Sequence, residues 1–413
     1  MSKTTLKIER LAYNGVSIAR HNEKIVMVRG PVLPGETVEA VIESEKKDYL
    51  TASVIQVIES SPDRIDPACK YFNKCGGCNY QHIPYPLQVS LKEEILKDSL
   101  KRQAKTGIEL SSPIINDNPW NYRLRGKFKV SGERIGFHME KTRRVVDIES
   151  CPLMVQDVNE LFEKSRSLTG GLGVREIHIT GGENPVVLIK LPAYTKINKR
   201  NCGSYAMKFL NSGFSGFCIE VGSKIIFHYG TTCTSLDLNG LKYSVSPKSF
   251  FQSNWKLNLS VVESIKKALQ PLKGKKVLDL YAGAGNFSLP LSEDARVIAV
   301  EENRDAIKDG ARNLKVNGIR NCKFIRSSAE NFLAKDSIDI ILLDPPRMGL
   351  TKKALGNVLS ALPERIVYIS CNPTTFSRDL KRLMPKYEVE SVRMVDLFPQ
   401  TYHIEVLAFL RLK

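Results

Sequence analysis

The run Lys276-Val277-Leu278-Asp279-Leu280-Tyr281-Ala282-Gly283-Ala284-Gly285-Asn286 decides the architecture of this 413-residue chain. It is an apolar strand that ends in a glycine-bearing turn, and glycines there let the backbone approach a ligand closely. Upstream, residues 257–269 have helical spacing. Downstream, residues 295–300, 322–325, 338–343 and 365–369 repeat the apolar strand pattern, and helical stretches such as 304–317 lie between several of them. Apolar strands alternating with helices predict a parallel sheet covered on both faces. The expected fold is therefore α/β, with a Rossmann-like domain over about 245–413.

The strand ends say what such a domain binds. Glu301 closes the second strand, where a carboxylate suits ribose hydroxyls. Asp344-Pro345-Pro346-Arg347 closes the fourth. Both fall at the carboxyl ends of parallel strands, where these sheets bind ligands. A dinucleotide-binding turn needs a third glycine, and Ser288 stands in that place. Asp279, just before the glycines, would repel a pyrophosphate and suits the ammonium of a methionine moiety. The loop is thus read as a site for S-adenosyl-L-methionine, with a nicotinamide dehydrogenase as the competing reading.

A further cysteine, Cys371, comes directly after Tyr368-Ile369-Ser370 at the end of another strand, on the rim where a methyl donor would sit. Carbon 5 of uracil is a poor nucleophile. Addition of a thiolate to carbon 6 makes carbon 5 enolate-like, and a base must later remove its proton so that the thiolate can leave. Such chemistry needs one cysteine and one carboxylate. Glu405 supplies the carboxylate at the head of the apolar run 406–410. Singly, each has a bland alternative: a buried structural thiol and a solvated edge charge.

The rest of the chain points to nucleic acid. The net charge of +17 suggests a polyanionic partner. Residues 1–60 contain eight basic and eight acidic side chains, so any basic footprint lies beyond them. That first segment reads as five short strands with turns at Asn14-Gly15 and Leu33-Pro34-Gly35, which suits a small OB-type barrel. Residues 61–244 are expected to form a central mixed α+β domain, with a helix over 87–103 and mostly strand and loop from 120 to 240. In Arg123-Leu124-Arg125-Gly126-Lys127-Phe128-Lys129, alternation would put four cations on one strand face, which suits contact with phosphates. No apolar run is long enough to span a membrane and no signal-peptide pattern opens the chain, so a cytoplasmic protein is expected.

Nine cysteines in a cytosolic chain point to metal or catalysis rather than disulfides. Cys69, Cys75 and Cys78 form a compact triplet around Gly76-Gly77, and Cys151-Pro152 can complete the set. Four thiolates can hold zinc or iron–sulfur. Only one C-x2-C pair is present, and the distant fourth cysteine followed by proline suits a 4Fe–4S cluster better. Cys202, Cys218, Cys233 and Cys322 show no such spacing and read as structural.

Together these segments resemble the RNA uracil-5-methyltransferase family. The matching stretches are Ser249-Phe250-Phe251-Gln252-Ser253-Asn254, the loop from Asp279 to Phe287, Asp344-Pro345-Pro346-Arg347, Ser370-Cys371-Asn372-Pro373-Thr374-Thr375 and Phe398-Pro399-Gln400-Thr401-Tyr402-His403-Ile404-Glu405, in the family's order. The resemblance implies that Cys371 is the nucleophile and Glu405 the base. It implies that Gln252, Tyr281, Asn286, Glu301 and Asp344 line the methyl-donor site, with Ser328 as a further adenine-side contact. It also implies that the cysteine set belongs to a cluster-bearing branch, that residues 1–60 are a TRAM domain, and that Arg123 approaches the target nucleotide. Ala282 stands where members often carry cysteine; the backbone does the work there. Cytosine-5 enzymes carry a cysteine beside the proline motif, and Asp344-Pro345-Pro346-Arg347 has none. The expectation is a monomer acting on RNA, with 23S rRNA ahead of tRNA and a non-catalytic RNA-folding factor as the rival.

Overall fold

The computed structural model describes residues 2–170 and 173–413. Strands Lys3–Ala12, Val16–His21, Lys24–Arg29, Thr37–Glu45 and Tyr49–Glu59 form a closed barrel. Alternate residues fill it, including Leu6, Ile8, Val26, Val28, Val38 and Ala40, as the two-residue strand period requires. Asn14 and Gly15 both have left-handed φ, near 70°, and reverse the chain between the first two strands. Leu11 and Leu33 leave the barrel's own interior and are buried in the core of the C-terminal domain.

The C-terminal sheet has eight strands in the order Cys322–Arg326, Arg296–Glu301, Lys276–Leu280, Ile340–Leu343, Arg365–Ser370, Glu405–Leu412, Tyr387–Val395 and Ser111–Ile114. The first five are parallel, as the apolar runs predict. Glu405–Leu412 enters antiparallel to both its neighbours. The connection from Val395 is too short for a parallel crossover, which takes a dozen or more residues.

Residues 61–244 do not behave as one unit. Helix Tyr85–Ser99 buries Leu91, Ile95 and Leu96 in the C-terminal core, and strand Ser111–Ile114 pairs with Tyr387–Val395 at the sheet edge. An apolar helix stripe needs a partner surface, and here the catalytic sheet provides it. The central sheet proper runs Lys224–Gly230, Gly216–Val221, Val186–Leu191, Glu176–Thr180, Arg125–Ser131, Arg134–His138 and Val145–Asp147. Two helices, Gln156–Arg166 and Lys199–Asn211, pack on it within the stretch expected to be strand and loop. The first begins at Val155 without a side-chain cap, so the usual start signal is missing. No helix among the described residues is long and apolar enough to cross a membrane.

Candidate active site

Cys371 sits at the corner between strand Arg365–Ser370 and helix Pro373–Leu383. Asn372 makes that corner sharp. Its side-chain oxygen accepts from the Thr374 and Thr375 amides at 3.0 and 3.4 Å, capping the helix. Its Nδ2 donates to the Arg347 carbonyl at 3.0 Å, joining the corner to the proline loop.

Glu405 opens the last strand, as expected, and its preceding loop is anchored from the helix Tyr85–Ser99. Lys92 Nζ donates to Asp396 Oδ1 at 2.8 Å and to the Phe398 carbonyl at 3.1 Å, and both charged side chains are fully buried. Gln88 Nε2 donates to Gln400 Oε1 at 2.9 Å, and Gln88 Oε1 accepts from the Gln400 amide at 3.0 Å. These bonds fix the loop that carries Thr401 and His403 into the cavity.

Cys371 and Glu405 line one cavity of about 400 Å³, together with Arg123, Arg347, Phe250 and His403. Burial pushes the Cys371 thiol up to about 12; Glu405 and Asp344 add to that, and Arg347 opposes them. Burial, then Asp344, holds the Glu405 carboxyl well above the usual carboxylate range, again against Arg347. His403 is pushed down to about 4 by burial and then by Arg347, so it is neutral near pH 7. The cavity therefore pairs a thiol and a carboxylate that both resist ionisation with one exposed guanidinium beside them.

A smaller cavity adjoins it, lined by Gln252, Tyr281, Asn286 and Asp344. Phe250 and Phe251 line both cavities, and Phe250 is 68% exposed although it is a large apolar ring. Tyr281, Gly283 and Gly285 all have left-handed φ. At Gly285 a side chain would also collide with Leu289, so glycine is required there. Glu301 Oε2 accepts from the Gly283 amide at 2.9 Å and so braces the turn. Glu301 and Ser328 stand at neighbouring strand ends but do not line this cavity. Asp279, read as the ammonium partner, is fully buried and lies outside the lining; the Ser288 hydroxyl donates to one of its oxygens and the other has no partner. The carboxylate on the cavity wall is Asp344, which burial pushes up to about 7. A glycine-turn backbone, two amide side chains, one carboxylate and aromatic faces fit S-adenosylmethionine.

Four residues without an assigned role in the sequence reading matter here. Arg347, His403 and Phe250 face the thiol cavity. Asn258 exchanges two hydrogen bonds with Asn286, at 2.7 and 3.0 Å, and orients it. The motif stretches contained the first three. Asn258 shows only as a buried amide on an otherwise apolar helix face.

The cationic stripe is corrected in part. The strand begins at Arg125, and Arg123 makes only isolated bridges. Arg125 is buried: it donates to the Ser249 carbonyl at 2.6 Å and to Thr180 Oγ1 at 3.0 Å, and it lies over the Phe251 ring. Lys129 pairs with Glu176 at 2.6 Å. An internal carboxylate and internal carbonyls thus take two of the four cations. Arg123 and Lys127 remain at the reaction cavity.

Cys69, Cys75, Cys78 and Cys151 line one cavity whose other walls include Tyr71, Phe72, Phe137, Ile148 and Leu153. Among the described residues, no group of three or more His, Cys, Asp or Glu is placed to hold a single metal ion. Burial raises the Cys78 thiol to about 12 and Cys75 to about 11, and the neighbouring thiols push in the same direction. Cys202, Cys218, Cys233 and Cys322 are buried elsewhere.

The tRNA (uracil-5-)-methyltransferase family matches residues 219–413, and the TRAM domain family matches residues 2–55. An uncharacterized RNA methyltransferase of Aquifex aeolicus is 36% identical over 99% of this chain and 98% of its own length. A 23S rRNA (uracil(1939)-C(5))-methyltransferase of Shewanella amazonensis is 32% identical over 99% and 96%. The crystal structure of Pyrococcus abyssi tRNA (uracil-54, C5)-methyltransferase with S-adenosyl-L-homocysteine superposes with a TM-score of 0.79 at 25% identity, covering 98% of this chain and 99% of that one.

Proposed function

Since this chain belongs to the RNA uracil-5-methyltransferase family and carries out S-adenosylmethionine-dependent methylation of carbon 5 of a uridine in RNA, we propose that Cys371 is its nucleophile, Glu405 its base and 23S rRNA its substrate. One observation carries the residue assignments: Cys371 and Glu405 share a cavity whose Phe250–Phe251 wall also bounds the cavity of Gln252, Tyr281, Asn286 and Asp344. A base entering the first cavity meets the thiol on one side and the methyl-donor site on the other.

The uridine leaves its stack to reach this depth. The Cys371 thiol and the Glu405 carboxyl first lose their protons to solvent. The thiolate then bonds to carbon 6, and the electron pair of the 5,6 double bond moves onto carbon 5 and the neighbouring carbon 4 carbonyl. Bound S-adenosylmethionine supplies the electrophilic methyl group that carbon 5 takes up. Glu405 then accepts the proton from carbon 5, the double bond re-forms and the carbon–sulfur bond breaks. Arg347 serves the first step, because it is the charge that lowers the cost of the Cys371 thiolate. The raised basicity of Glu405 serves the last. Gln252, Tyr281, Asn286 and Asp344 would hold the donor; Glu301 would accept from its ribose hydroxyls and Ser328 would contact its adenine.

The choice of 23S rRNA over tRNA draws on the named activity of the Shewanella relative, which aligns along nearly its whole length. The four thiols around one largely apolar cavity fit a 4Fe–4S cluster, in which each iron takes one cysteine. Gly77, Arg123 and Phe137 line both this cavity and the reaction cavity. A cluster there would shape the wall against which RNA lies. Nucleoside mass spectrometry of rRNA and tRNA fractions from cells lacking the gene tests the substrate. Loss of 5-methyluridine from 23S rRNA is expected; loss from tRNA alone would transfer the assignment to tRNA.

A further inference from the structure

One turn of the barrel touches the segments that carry Cys371 and Glu405. Tyr13, Asn14 and Gly15 join its first two strands, and the Tyr13 hydroxyl donates to the backbone carbonyl of Cys371 at 3.0 Å. The Tyr13 ring meets Tyr402 edge-on, with centroids 6.3 Å apart and planes at 88°. A Cβ on Gly15 would come within 2.8 Å of the Tyr402 ring, so turn and ring are in close contact. Tyr402 lies in the loop that ends at Glu405. One turn of a different domain therefore braces both segments that deliver the reacting groups.

The brace is rigid on the barrel side. Leu11, two residues before Tyr13, and Leu33 are buried in the catalytic domain's core. Arg10 adds an ion pair to Asp98 at 3.4 Å. On the catalytic side, Asn372 fixes the helix start just after Cys371, whereas Tyr13 holds the carbonyl of Cys371 itself. That carbonyl and the thiol hang on one Cα, so the peptide plane and the direction of the sulfur are coupled.

We infer that Tyr13 is a positioning residue: its hydroxyl holds the Cys371 carbonyl and thereby aims the thiol into the cavity. This rests on Cys371 being the nucleophile. Burial holds the Tyr13 phenol well above its usual range, so it stays a donor throughout the working pH.

The test uses the purified full chain and methyl transfer to total RNA from a strain lacking the gene. Tyr13→Phe is expected to lower kcat about tenfold, the scale of one lost positioning hydrogen bond. KM for RNA and the thermal midpoint should stay at the parent values. Gly15→Ala, which pushes the turn off Tyr402, should lower kcat as well. An unchanged kcat in Tyr13→Phe overturns the inference. So does a raised KM at constant kcat, which would make the turn an RNA grip, or a midpoint that falls in step with activity, which would make Tyr13 a structural prop. Cys371→Ala is assayed alongside. Activity retained there would overturn the nucleophile assignment instead, whereas an inactive Cys371→Ala with a fully active Tyr13→Phe overturns the positioning role alone.

Discussion

Cysteine occurs in two settings that share a wall. Cys371 stands alone in a cavity with Glu405, Arg347 and His403, while Cys69, Cys75, Cys78 and Cys151 stand together in a cavity walled largely by apolar and aromatic side chains. Burial raises the thiols in both places. Thiol acidity therefore does not separate the proposed nucleophile from the proposed ligands; their neighbours do. A guanidinium and a carboxylate stand beside the one sulfur that the proposed mechanism has attack and leave. The four sulfurs have no carboxylate or imidazole among their cavity walls, and for that reason their proposed role is to hold a metal centre.

The sharpest way to break that contrast is to remove one thiol from each side. Cys371→Ala should cut methyl transfer by at least about a thousandfold, with folding and RNA affinity intact. Cys75→Ala should instead abolish bound iron and weaken RNA affinity; if it preserves both, the ligand reading fails. Filter binding and iron analysis of both variants decide the matter. Glu405→Gln should lower turnover by roughly 10²–10⁴-fold. Because the thiolate leaves only after the carbon 5 proton does, this variant should also accumulate a protein–RNA adduct visible on a denaturing gel.

Smaller effects probe the scaffold around the two cavities. Lys92→Met strands Asp396 as a buried charge, and urea unfolding should report a loss of about 3–5 kcal/mol. The double change Lys92→Met with Asp396→Leu should recover most of it. A further effect, of similar order, concerns pH. The Asp344 carboxyl is raised from 3.8 to about 7 by burial. It therefore costs the fold nothing below 3.8, a growing amount as pH rises to about 7, and a constant amount above. Asp344→Asn should raise the thermal midpoint of the ligand-free chain at about pH 8 and leave it unchanged near about pH 4, while isothermal titration shows weaker S-adenosylmethionine binding.

What the sequence disclosed and what it hid divide along one physical line. The strands from Lys276 onward, Cys371 at a strand end and Glu405 at a strand start were legible, because apolar period and local order fix them. Long-range partners were not. Alternation placed Arg125 in a strand but could not say that the Ser246 and Ser249 carbonyls would take up its guanidinium. Nothing local marks Ser111–Ile114 as the eighth strand of a sheet that is otherwise formed far downstream. The same limit hid the Asn258–Asn286 pair, and with it the reason that Asn286 points as it does.

The burial of Leu11 and Leu33 in the catalytic core gives the barrel the character of a fixed caliper jaw rather than a module on a tether. Domains joined by polar, modest interfaces swing by default; an apolar anchorage of this kind removes that freedom. A stretch of RNA held by the barrel would then lie at one set span from a uridine in the Cys371 cavity. An insertion or deletion between a barrel-held stretch of RNA and the methylated uridine is therefore expected to abolish methylation even when every nucleotide around the uridine is unchanged, which methyl transfer to such RNA variants checks.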